Sequence, residues 1–77
     1  MKPKGQKRMD KDELNINIRK FLKKLGIKSQ REMEEAITKA IQLGDLEGNE
    51  RLAVTAHIAL ERTDVDFTIS EEIALTK

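Results

Sequence analysis

Seventy-seven residues carrying 15 Lys+Arg against 14 Asp+Glu, for a formal net charge of +1, make one domain at most. With no cysteine and a single histidine, the chain has no disulfide, no Cys-ligated zinc, no thiol nucleophile and no His-rich metal site, so neither metal nor cofactor is expected. Of the staples that chains this short use to supplement a small core, a partner subunit is the one left open.

Charge is unevenly spread. Residues 1–31 hold eleven Lys/Arg against three acids, and residues 32–77 hold four against eleven. Either the halves compensate each other or the imbalance serves a partner. The opening Met1-Lys2-Pro3-Lys4-Gly5-Gln6-Lys7-Arg8 is charged and leads into no apolar segment, unlike a secretory signal. No apolar run approaches the roughly 18 residues of a membrane span. The expectation is a soluble, cytoplasmic protein that makes no membrane contact.

Residues 1–11 lack hydrophobic periodicity and hold Pro3, Gly5 and several cations. They read as a disordered basic arm ahead of a single α+β domain over 12–77. Asp12 is the expected N-cap of a first helix at about 13–25. Leu14, Ile18, Phe21, Leu22 and Leu25 form one apolar stripe. Arg19, Lys20 and Lys23 lie opposite with Lys24 at the flank, and Ile16 projects toward the same basic side. Gly26 sits where a C′ glycine stops a helix, and Ser29-Gln30-Arg31-Glu32 has the form of a capping box. A second helix is expected at about 30–43, with Met33, Ala36, Ile37, Ala40, Ile41 and Leu43 on its buried face and Gly44 as its stop.

After a turn-rich stretch, Gly44 to Glu50, the period changes from 3.6 to 2. Leu52, Val54, Ala56, Ile58 and Leu60 alternate with Arg51, Ala53, Thr55, His57 and Ala59, a strand at about 51–60. Arg62-Thr63-Asp64 makes the turn into a second strand at about 65–75. Pairing Leu60 with Val65 brings both apolar sets to one face and specifies an antiparallel hairpin. Continued alternation turns Glu71 inward, so a bend near Ser70-Glu71-Glu72 is expected.

No catalytic constellation emerges. His57 has no nearby serine or cysteine nucleophile, and it reads as an exposed or interface residue opposite Thr68. Asp64, Asp66, Glu71 and Glu72 lack a cleft that would separate their pKa values. Gly44 and Gly48 follow a helix and precede no lysine-serine pair, unlike a phosphate loop. The expected class is therefore not an enzyme.

Two binding roles remain. The outer face of the hairpin, Ala53, Thr55, His57, Ala59, Thr68 and Ser70, is small and barely charged, and a lone hairpin offers unpaired edges. A second copy could add there, making a homodimer, or another protein could dock. The alternative is weak, sequence-independent nucleic-acid binding through Lys7, Arg8, Arg19, Lys20, Lys23 and Lys24. A helix-turn-helix is disfavoured, because its second helix would bring Glu32, Glu34 and Glu35 toward phosphate. Phe21 and Phe67, the only aromatics, read as core and leave no stacking platform.

The segment Ile-Arg-Lys-Phe-Leu-Lys-Lys-Leu-Gly-Ile-Lys-Ser-Gln-Arg-Glu at 18–32 resembles a small proteobacterial family of short proteins without assigned function. The likeness continues through Leu46, Gly48-Asn49-Glu50 and Glu72-Ile73-Ala74-Leu75. It implies one compact bacterial domain and brings no activity, cofactor, partner or site residue with it. The basic arm departs from the family's usual short start.

Overall fold

The computed structural model describes residues 9–77; the expected basic arm, with Lys7 and Arg8, lies outside them except for its last three residues. One helix, α1 (Lys11–Gln42), is followed by two strands, β1 (Arg51–Ala59) and β2 (Asp66–Ala74). The α+β class is as expected, with one helix in place of two. The chain divides into two compact units, Met1–Ala36 and Ile37–Lys77.

The first unit is helical from Lys11 onward. Its cap is Asp10, two residues before the Asp12 that the sequence suggested. The Asp10 carboxylate accepts from the backbone N–H of Asp12 at 3.0 Å and of Glu13 at 3.1 Å, satisfying two of the donors a helix start leaves open. Asp12 and Glu13 then occupy the first turn, where the positive end of the helix dipole favours them.

The expected break at Gly26 does not occur. A C′ glycine must take a left-handed backbone, and among the described glycines only Gly44 (φ 85) and Gly48 (φ 107) do so. The Ser29 capping box does not form either. Glu32 lies 3.6 Å from Lys28, and Gln30 donates to Glu34 at 3.1 Å; both are i,i+4 contacts of an uninterrupted helix. The physical reason is phase. Leu25, Ser29, Met33 and Ala36 continue the stripe of Leu14, Ile18 and Phe21 at helical spacing, so one helix carries the stripe across the supposed break without a change of phase. A glycine in its middle costs about 1 kcal/mol, too little to split it.

In the second unit the helix ends on Gly44 as the sequence indicates. Asp45 N–H donates to Ala40 at 2.8 Å and Gly44 N–H to Ile41 at 3.1 Å, the paired bonds of a Schellman stop. The Glu50 carboxylate organises the following loop, accepting from Glu47 N–H at 2.7 Å and Gly48 N–H at 2.9 Å.

The strands pair antiparallel from Arg51↔Ala74 to Ala59↔Asp66, and Leu60 N–H donates to Val65 at 3.1 Å. This is the expected register; β1 ends one residue earlier than expected, and β2 is one residue shorter at each end. The Thr63 hydroxyl fixes the turn, donating to the Leu60 carbonyl at 2.7 Å and accepting from Val65 N–H at 3.1 Å. No bulge interrupts β2, so Glu71 stands on the apolar face directly opposite Val54.

The expected core is absent. No described residue is buried. Met33 and Ile37 on the helix and Leu52, Val54, Ile58 and Ile73 on the hairpin are half-buried. Phe21 and Phe67 remain 55% and 46% exposed, so neither is a core residue.

Candidate interaction surfaces

The helix of the first unit presents two contrasting sides. Leu14, Ile18, Phe21, Leu22 and Leu25 make a stripe of bulky apolar groups, all exposed. Its continuation through Ser29, Met33 and Ala36 is smaller in volume. Lys24 and Lys28 on one flank of the stripe, and Lys20, Lys23, Ile27 and Arg31 round to the far side, line one open groove. Three of the expected nucleic-acid contacts, Lys20, Lys23 and Lys24, are thus brought together, and Arg19 sits on the same helix. Lys7 and Arg8 lie outside the described residues. Sequence reasoning passed over Lys28 and Arg31, because it placed them beyond a helix end; an unbroken helix makes them neighbours of Lys24 and Ile27.

The outer face of the hairpin carries Ala53, Thr55, His57, Ala59, Thr68 and Ser70 together, as the alternation requires. Its polar members are engaged with one another. Thr55 and Ser70 hydroxyls meet at 3.2 Å, Arg51 Nε donates to Glu72 at 3.0 Å, and His57 Nε2 lies 2.8 Å from an Asp66 carboxylate oxygen. His57 faces Thr68 across the ladder; Asp66, its actual partner, is a diagonal neighbour. The strand register implies such i,j±2 neighbours, so the pair was within reach of the sequence. All these side chains are well exposed, and surface pairs of this kind contribute little to stability.

The opposite face of the hairpin is apolar. Phe67, Ile69, Leu60 and Val65 are exposed there, interrupted by Glu71. Among titratable groups Glu50 is perturbed: its carboxyl is held below the usual range by the backbone N–H groups of Glu47 and Gly48. Its task is to hold a loop.

Among the described residues no cluster of three or more His, Cys, Asp or Glu could hold a metal ion. No helix among the described residues is long and apolar enough to cross a membrane. No curated protein and no solved structure matches the chain. A family model does match, over residues 9–76, nearly the whole sequence, and on that evidence the chain belongs to the Family of unknown function (DUF6494).

Proposed function

We propose that this protein is a non-catalytic interaction module that works as a homodimer. The observation that carries the reading is the absence of any buried residue among the 69 described. The bulky side chains of the α1 stripe, and Leu60, Val65, Phe67 and Ile69 of the hairpin, are exposed. A stable interface covers about 800 Å² per partner, and obligate dimers cover more.

Apolar area covered in this way contributes roughly 25 cal/mol per Å², and a lone two-stranded hairpin is marginal without such cover. Light scattering across concentration tests the reading. A dimer that persists to low micromolar concentration is expected. A folded monomer at hundreds of micromolar refutes it.

A second reading has one specific observation in its favour. Of the cations between Arg19 and Arg31, only Lys28 has an ion-pair partner among the described residues, which leaves a basic groove open to polyanions. Binding of this kind is electrostatic and weakens steeply with salt. It predicts that reversing Lys20 and Lys23 to Glu abolishes low-salt binding of a DNA duplex. Unchanged binding sinks it.

A further inference from the structure

Self-association leaves open which surfaces meet and in which direction. The charges flanking the apolar stripe of α1 decide between the alternatives. Lys24 and Lys28 precede Ser29 on one flank, and Glu32 and Glu35 follow it on the same flank. Lys28 and Glu32 satisfy each other within the chain at 3.6 Å. Lys24 and Glu35 have no ion-pair partner among the described residues.

Leu22 lies seven residues before Ser29, and the small Ala36 lies seven residues after it.

Two copies laid parallel turn each flank toward the partner's opposite flank, so Lys24 and Glu35 do not meet, and Phe21 is set against Phe21. Two copies laid antiparallel about Ser29 set Lys24 against Glu35 and Lys28 against Glu32 of the other copy. Leu22 then faces Ala36, and Leu25 faces Met33. Every one of these pairings is made twice by the two-fold axis. The antiparallel arrangement alone brings Lys24 to Glu35, and it also sets the large Leu22 against the small Ala36.

We infer that two copies of this chain dock through α1 in antiparallel orientation, with the two-fold axis beside Ser29 and with Lys24 and Glu35 closing the flanks. The small Ser29 side chain at the crossing lets the helix axes approach to about 8–10 Å. The inference rests on the proposed self-association and adds its surface and direction.

Cysteine cross-linking of the full-length chain tests it, since the native sequence contains no cysteine. Ser29→Cys places two thiols at the axis, within the roughly 7 Å Cα separation a disulfide allows. Ile18→Cys lies eleven residues from the axis, so its two copies stand about 33 Å apart at 1.5 Å rise per residue. Ser29→Cys is expected to oxidise to a covalent dimer, and Ile18→Cys to remain unlinked. Linkage of both variants signals parallel helices and overturns the inference. A dimer by light scattering with no linkage at Ser29→Cys moves the interface elsewhere and overturns it while leaving self-association standing. A monomer under all conditions removes both.

A charge swap supplies the second test. Lys24→Glu and Glu35→Lys are each expected to weaken dimerisation about tenfold, because each variant creates two like-charge contacts. The double variant is expected to recover wild-type affinity. Equal or additive loss in the double variant refutes the facing of these two residues.

Discussion

Replacing Gly26 by Ala separates the one-helix fold from the two-helix alternative by the sign of a stability change. In α1 the backbone at Gly26 is helical, and a Cβ built there meets nothing within 4 Å. Alanine is then free of steric cost and gains the difference in helix propensity, about 1 kcal/mol. For a domain of this size that amounts to about 4–8 °C in Tm. Were Gly26 instead the left-handed stop of a short helix, the same Cβ would be strained by about 1–2 kcal/mol, and the variant would melt earlier. Gly44 provides the control. It has φ 85 at the Schellman stop, so Gly44→Ala is expected to lose stability by about 1 kcal/mol. Thermal unfolding followed by circular dichroism at 222 nm, at one fixed protein concentration because a dimer's Tm depends on it, reads both variants. A lower Tm for Gly26→Ala with an unchanged oligomeric state refutes the continuous helix.

Three further outcomes are expected. The Glu50 carboxyl is held below its usual range by the N–H groups of Glu47 and Gly48; its stabilising effect is therefore present above the unfolded value of about 4.3 and is lost as pH falls through the folded value. Glu50→Gln is thus expected to flatten the decline in stability on acidification below about pH 4, and superimposable pH profiles for wild type and variant would contradict this. Arg62 has φ 65, so Arg62→Gly is expected to stabilise the hairpin turn by roughly 0.5 kcal/mol net, strain relief offset by added chain entropy; a loss in urea titration argues that the Arg62 side chain contributes something else. Thr63→Val removes the hydroxyl that bridges Leu60 and Val65 and is expected to cost about 1 kcal/mol; no change in the urea midpoint would show that the turn holds without it.

The hairpin was legible because period-2 alternation has only one register that keeps Leu60, Val65, Phe67 and Ile58 on a common face. The helix stop at Gly44 was legible for a similar reason, as nothing helical follows it. At Gly26 the local boundary signals and the phase of the apolar stripe disagree. Glycine after an apolar residue and serine three before glutamate each resemble a boundary, yet neither shifts the phase of the stripe. Comparing phase across the supposed break, Leu25 to Ser29 to Met33, would have revealed one helix. Asp10 was missed as the cap because the apolar stripe begins only at Leu14, and a helix can start a full turn earlier. The absence of a core was beyond periodicity altogether. Alternation and heptad-like spacing identify which face is apolar, and they are silent on whether that face is covered within the chain or by another molecule.

That silence bears directly on the charge asymmetry. A sequence with a basic first half and an acidic second half invites the reading that the chain folds back and neutralises itself. Along α1 this is geometrically impossible. Residues 19–35 lie on one straight helix, where each charge reaches only neighbours three or four positions away, as Lys28 reaches Glu32. Lys24 and Glu35 are eleven residues apart, about 16 Å along the axis, beyond the screening length of physiological salt. The other ion pairs among the described residues, Arg51–Glu72 and His57–Asp66, are confined to the hairpin. Within α1, Lys24 and Glu35 therefore cannot neutralise each other. The part of the charge division that lies on α1 is the pattern used by the antiparallel pairing inferred above. Its electrostatic part should weaken with added salt while the apolar stripe continues to hold the copies together, so sedimentation in rising salt is expected to show a loosened dimer and not a collapse to monomer.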